Sequence, residues 1–212
     1  GSSKFGSSPG RFSLDLHRRV VQEIISKTLV FHTKQISAAC RANQWRGALN
    51  ILSDMRLKRL EPDVIAYTSC ITSCEKNAQW QQALGVFLDM QLRCLEPDAI
   101  VYASGISACE KGAQWKEALG MISDMRLRNL EPTLIAYSAV ISACEKTARW
   151  QEALGIFSDV RICCLEPDVI IYSAIISACH RGVRGHEALG MFSEMRERSL
   201  EPDVIVYNAA VS

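Results

Sequence analysis

The chain has almost no net charge, few aromatic residues and no long apolar run. A formal charge of +1 over 212 residues excludes a simple basic nucleic-acid arm. No stretch approaches the ~18 apolar residues that a membrane span takes. Strict alternation of apolar and polar residues is also missing, so no β-strand is expected. Nine cysteines are an odd number in a chain this long, which excludes a small disulfide scaffold. Neither Cys163-Cys164 nor Cys70/Cys74 has the spacing of a zinc pair, and His17, His32, His180 and His186 are scattered. A phosphate-cradling glycine loop, a nucleophile elbow and an H-x-E…P-C-x-x-C deaminase signature are all lacking. A non-enzyme with no metal and no cofactor is expected.

The scarce residues carry the pattern. All four Trp (45, 80, 115, 150), all five Tyr (67, 102, 137, 172, 207) and five of the six Pro (62, 97, 132, 167, 202) recur at steps of 35. A fixed period of this length marks a stacked repeat protein. With each unit starting after the EPD-like tripeptide, five full units span 29–63, 64–98, 99–133, 134–168 and 169–203. A partial sixth unit covers 204–212. The third boundary reads EPT, with Thr133 in place of Asp. His32 stands for Tyr in the first unit, and Gly185 for Trp in the fifth.

Each unit shows two helical stripes. In the fourth, Tyr137, Val140, Ile141 and Cys144 fall at i, i+3, i+4 and i+7, one face of a first helix. Trp150, Ala153, Leu154, Phe157 and Val160 mark a face of a second. A break is expected at Thr147-Ala148-Arg149, and Pro132 and its equivalents punctuate the far end, because proline lacks the donor that continues a helix. Two helices of about a dozen residues bury neither stripe alone, so successive units must stack. The fold class is all-α: an α-solenoid, a right-handed superhelix of helix-turn-helix repeats. Cys74, Cys109, Cys144 and Cys179 share position 11 on the Tyr stripe and read as small core residues, and the Trp stripe as packing between helices. Gly85, Gly120, Gly155 and Gly190 recur inside the second helix, where each costs about 1 kcal/mol against Ala. Their recurrence predicts close backbone approach between stacked helices.

The ends differ from the repeats. Residues 1–13 form a Gly/Ser-rich segment expected to be disordered. A capping helix is expected over 14–28, with Ser13 as its cap and an apolar face built by Leu16, Val20, Val21, Ile24 and Ile25. The chain starts without Met and stops inside a first helix, so a longer native protein is expected.

The 35-residue unit resembles the pentatricopeptide repeat (PPR) family, in its plain P-type class, across residues 29–212. The resemblance rests on Tyr at position 4, Ile at position 8, the Glu117-Ala118-Leu119 type of segment, Met55, Met90, Met125 and Met195 late in the second helix, and the closing Pro-Asp. The related tetratricopeptide repeat has a period of 34 and would have drifted by five residues over five units. The resemblance implies an organellar protein, mitochondrial or plastid. It also implies binding of single-stranded RNA, one base per repeat, along the first helices.

On the same grounds, position 5 and the last residue of each unit choose the base. Those pairs are Thr33/Asp63, Thr68/Asp98, Ala103/Thr133, Ser138/Asp168 and Ser173/Asp203, with Asn208 opening an incomplete unit. A hydroxyl beside a carboxylate suits guanine, whose N1 and N2 are donors. The implied target is G-G-x-G-G and then a pyrimidine, 5′ to 3′, with Ala103/Thr133 leaving its base open. The position 2 aliphatics Val30, Ile65, Ile100, Ile135, Ile170 and Ile205 would wedge between bases. Position 13 is basic in every full unit (Arg41, Lys76, Lys111, Lys146, Arg181), as phosphate contact requires. Glu75, Glu110 and Glu145 precede three of these cations and offset the local field. Each closing Asp also suits the first turn of the next helix, a role compatible with base reading. The alternative function is a protein-binding scaffold or accessory subunit of an organellar assembly, which uses the same stacked surface without an RNA code.

Overall fold

A computed structural model describes residues 9–211, with side chains from Arg18 onward except those of Ile205, Ala210 and Val211. Among the described residues there are α-helices and no strand. In chain order they are α1 (Pro9–Arg41), α2 (Trp45–Leu57), α3 (Val64–Lys76), α4 (Trp80–Leu92), α5 (Ala99–Lys111), α6 (Trp115–Leu127), α7 (Leu134–Lys146), α8 (Trp150–Ile162), α9 (Val169–Arg181), α10 (Gly185–Glu197) and α11 (Val204–Val211). From α2 to α10 the division is the same in every unit: positions 1–13 form the first helix and 17–29 the second. The chain falls into two compact units, Gly1–Cys70 and Ile71–Ser212, which divide within α3.

In the first unit α1 packs on α2. The expected boundary between residues 28 and 29 does not exist, because α1 is one continuous helix of 33 residues. Residues 14–28 hold no Gly or Pro, so nothing stops the helix before the first repeat. Residues 9–13, expected to be disordered, are helical and start at Pro9, where the missing N–H costs nothing. Residues 1–8 lie outside the described residues. At 1.5 Å per residue α1 is about 50 Å long and α2 about 20 Å, so α2 covers one end of it. Val20, Val21, Ile24 and Ile25 accordingly remain 40–58% exposed and build no packed cap. Ile36, Ala48 and Met55 close the core. His32 fills the Tyr place, with Nδ1 2.8 Å from the Thr28 carbonyl and Nε2 3.5 Å from Lys58 Nζ.

In the second unit α5, α7, α9 and α11 stack one on the next. The second helices α6, α8 and α10 each pack on their own first helix, and α4, α6, α8 and α10 each on the following one, whereas these four do not meet each other through their backbones. This is the stacked arrangement of an α-solenoid. Tyr102, Tyr137 and Tyr172, with Ile106, Ile141 and Ile176 and the cysteines of position 11, are fully buried. Rings join consecutive repeats edge to face: Phe87 to Tyr102 at 5.1 Å and Phe157 to Tyr172 at 5.3 Å. Trp80 lies against Gly112 of the next repeat, and Trp150 against Gly182, so tightly that a methyl group at either glycine would collide with the indole.

The glycines of the second helices overturn an expectation. A Cβ added at Gly85, Gly120, Gly155 or Gly190 would meet nothing within 4 Å, so no backbone approaches there. These positions face open space between second helices, which meet only through longer side chains such as Gln91 and Asp124.

Helix ends close in one way throughout. The residue at position 15 or 31 is left-handed, with φ between 53° and 59°, and in every case it is not glycine. The next amide then bonds back five residues, as Gln114 N to Cys109 O (2.8 Å) and Leu130 N to Met125 O (2.9 Å). Val183, β-branched at φ 56°, is the most strained of these residues.

Candidate nucleic-acid interface

The last residue of each repeat is held by the helix it starts. Asp98 is extended (φ −87°, ψ 177°), and its Oδ1 accepts from Ile100 N at 3.0 Å and Val101 N at 2.9 Å. Asp63, Asp168 and Asp203 accept in the same way from Ala66 N (2.8 Å), Ile171 N (3.0 Å) and Val206 N (2.8 Å). Thr133 Oγ1 takes the same role toward Ala136 N at 3.3 Å. Each cap uses one carboxylate oxygen, Oδ1, so Oδ2 remains an acceptor for something else.

At position 5, Thr33, Thr68, Ala103, Ser138 and Ser173 are all half-buried. Thr68 Oγ1 donates to the Val64 carbonyl at 2.7 Å and Ser173 Oγ to the Val169 carbonyl at 2.6 Å. With its proton committed to the helix, such a hydroxyl presents lone pairs. Thr33 Oγ1 is buried without a hydrogen-bond partner, and Ala103 has no polar atom to offer. Asn208 is exposed on α11.

Beside these groups stand the position 2 aliphatics. Val30, Ile65, Ile100, Ile135 and Ile170 are 49–78% exposed, although in α3, α5, α7 and α9 the other aliphatics are largely buried. The side chain of Ile205 lies outside the described residues.

The position 13 cations are exposed, but three of them are engaged. Lys111 Nζ pairs with Glu75 Oε1 and donates to the Glu75 carbonyl at 3.2 Å. Lys146 repeats this with Glu110 (Oε1 at 2.5 Å, carbonyl at 3.0 Å), and Arg181 approaches Glu145 at 3.7 Å. The partner lies 36 residues back, in the preceding repeat, not next to the cation in sequence. Each lysine thereby becomes a second donor to a carbonyl in the last turn of the preceding first helix, which already accepts from the corner amide (Ala78 N or Ala113 N, both 3.1 Å), at the end of the helix that favours positive charge. Ser107 Oγ adds a bond to Glu75 Oε1 at 3.1 Å. Burial raises the Glu145 pKa, opposed by Arg181 and Lys146. Arg41 and Lys76 have no ion-pair partner among the described residues.

A second polar ladder, not foreseen from the sequence, runs along the other helices. Tyr102 OH donates to Asp124 Oδ2, which also accepts from Gln91 Nε2 at 2.9 Å and pairs with Arg128 at 3.3 Å. One repeat on, Arg126 Nη2 donates to Tyr137 OH at 2.7 Å and pairs with Asp159 at 3.0 Å. Tyr172 OH donates to Glu194 Oε1 at 3.0 Å, with Arg161 and Arg198 at 3.5 and 3.4 Å. Burial is the first cause that raises the pKa of Tyr102, Tyr137 and Tyr172, the last to about 12. The signal was a recurring acid at position 26, two residues before Gln91, Arg126 or Arg161 of the neighbouring ladder rung. Among the described residues, no three His, Cys, Asp or Glu side chains are grouped to hold a metal. No helix there is long and apolar enough to cross a membrane.

These features define a class: a helical-repeat protein whose first helices, in the full repeats, each carry an exposed aliphatic at position 2 and a cation at position 13. Three family models agree with that class. The PPR repeat family matches residues 167–212, the pentatricopeptide repeat domain matches 50–112 and 85–147, and the PPR repeat matches 36–60 and 135–163. The chain belongs to the pentatricopeptide repeat family. No curated protein matches it. Solved structures share the fold. The PPR domain of Arabidopsis thaliana protein-only RNase P 1, in complex with tRNA, aligns with TM-score 0.74 and 11% identity over 85% of this chain and 95% of that one. Nuclear proteinaceous RNase P 2 from A. thaliana aligns with TM-score 0.78 and 8% identity over 85% and 41%. PPR10 from maize aligns with TM-score 0.66 and 22% identity over 84% and 26%. PPR10 has also been solved in complex with an 18-nt psaJ RNA element, of whose protein chain the present one covers 27%.

Proposed function

We propose that this chain binds single-stranded RNA along its first helices, selects bases through positions 5 and 35, and acts in organellar RNA processing, stability or translation. The observation that carries the reading is the row of exposed position 2 aliphatics beside half-buried acceptors. Exposed Val and Ile on an otherwise buried stripe favour contact with flat apolar faces, and nucleobases supply them. A position 5 hydroxyl, its proton spent on its own helix at Thr68 and Ser173, acts with the spare oxygen of the closing Asp to accept from guanine N1–H and N2–H and to repel base edges that present acceptors. Four repeats carry this pair (Thr33/Asp63, Thr68/Asp98, Ser138/Asp168, Ser173/Asp203). The implied target is GGNGG followed by a pyrimidine read by Asn208, with N at the repeat of Ala103 and Thr133. The RNA complexes of PPR10 and of the RNase P 1 PPR domain support RNA as the polymer. Occupancy is the mechanism: a covered segment is shielded from nucleases and held out of base pairing.

The test compares GGNGGU RNA with its complement across a salt series. Preference for the former by tenfold or more is expected. Equal affinity for both overturns the selectivity, and no binding of either at moderate salt overturns the function.

A further inference from the structure

The five cations of position 13 look alike in sequence but fall into two groups in space. Lys111, Lys146 and Arg181 each meet a glutamate of the preceding repeat. For Lys76 the residue 36 positions back is Cys40, and for Arg41 it is Phe5, so neither has an acid at that step. A lysine that already holds a carboxylate and a helix-terminal carbonyl has spent two of its three donors, and its pair carries little net field. A phosphate that approached it would have to displace a glutamate, itself only 15–24% exposed and left without its partner. No such competition opposes an exposed cation without a partner.

On the reading of this face as an RNA surface, we propose that Arg41 and Lys76 contact RNA phosphates, whereas Lys111, Lys146 and Arg181 clamp consecutive repeats and make no phosphate contact. The glutamates at position 12 are then what separates the two roles. They turn a recurring cation into a fastener in the later repeats and leave it a ligand contact in the first two. The backbone carbonyl bonds of Lys111 and Lys146 make those two clamps stronger than that of Arg181.

The experiment uses the full chain with single charges removed as Lys→Met, which keeps the aliphatic stem, and reads two quantities. These are the slope of log affinity against log salt for GGNGGU RNA, and the melting temperature without RNA. Lys76→Met is expected to reduce the slope by about 0.7, one phosphate's worth for a single strand, with no change in melting. Lys111→Met and Lys146→Met are expected to leave the slope unchanged and lower the melting temperature by about 2 °C. Glu75→Gln frees Lys111 and is expected to steepen the slope. A loss of slope in Lys111→Met equal to that in Lys76→Met overturns the division, as does equal melting of the two. If the wild-type chain binds no RNA, the RNA reading fails by itself. The melting arm still decides whether Lys111 and Lys146 are clamps and Lys76 is not.

Discussion

Two rows of aliphatic side chains stand in solvent, one on each helix of the repeat. On the first helices they are Val30, Ile65, Ile100, Ile135 and Ile170. On the second they are Leu57, Leu92, Leu127 and Ile162, and at 78–83% these are exposed still further. Exposure alone therefore does not identify a binding face. What differs is the company each row keeps. Next to the leucines, Asp124 and Glu194 are consumed by tyrosine hydroxyls and by arginines from their own and adjacent repeats. Next to the position 2 residues, each capping aspartate keeps one oxygen unused, and two cations keep their charge. Polar groups on one side are satisfied within the fold, whereas on the other the capping aspartates and two of the five cations keep bonding capacity to spare.

The largest blow to this contrast should come from the satisfied side. Asp124→Ala leaves the buried Tyr102 hydroxyl without its acceptor, at a cost of about 2 kcal/mol, and should lower melting by roughly 4–8 °C. RNA affinity should hardly change, and a matching loss of affinity would merge the two faces. Asp159→Ala should cost less, since Tyr137 OH keeps its bond from Arg126.

A smaller effect, of about 1.4 kcal/mol or tenfold in affinity, is expected from the double change Ile100→Ser with Ile135→Ser. Leu92→Ser with Leu127→Ser should alter binding less than twofold, and both pairs should melt like the wild type. An equal loss from the two pairs would show that apolar exposure, and not its polar neighbours, governs binding.

The smallest effect sharpens the comparison through cysteine. Burial pushes the position 11 thiols of Cys109 and Cys144 up to about 12, and that of Cys179 to about 11. Cys94, Cys163 and Cys164, at the ends of second helices, are exposed. A thiol that stays neutral when folded but ionises when unfolded binds more protons in the native state at alkaline pH. Stability should therefore hold below pH 9 and decline between about pH 9 and 12, as denaturant melts would register. Replacing Cys109, Cys144 and Cys179 together with Ala should flatten that decline, and a thiol reagent should modify Cys94, Cys163 and Cys164 well before the others.

Much of this was legible in the sequence. Positions 1–13 and 17–29 announce themselves by stripe and punctuation, and Tyr137, Ile141 and Cys144 declare a buried face by their spacing. Local chemistry also marks Asp98 as a cap. The misreadings share a cause, which is that periodicity reports recurrence and not direction. Gly120 recurs at 85, 155 and 190 and Gly112 only at 182, yet the faithful one faces open space and the sporadic one sits under Trp80. Glu75 looked like a neighbour that weakens Lys76, whereas its partner is Lys111, brought to it by stacking that no local pattern encodes. The continuity of α1 escaped for a related reason: a change of motif after residue 28 was read as a change of structure.

The corners between helices have a consequence of their own. Each is closed by a residue such as Ala113, Asn129 or Ala148, held left-handed without being glycine. A side chain there removes conformations that a glycine would allow, so the corner behaves as a stiff bracket and not as a swivel. On the proposed reading, brackets of one shape repeated along the chain are what spaces successive contact positions. A polymer laid along them meets a ruler whose graduations are written into its turns.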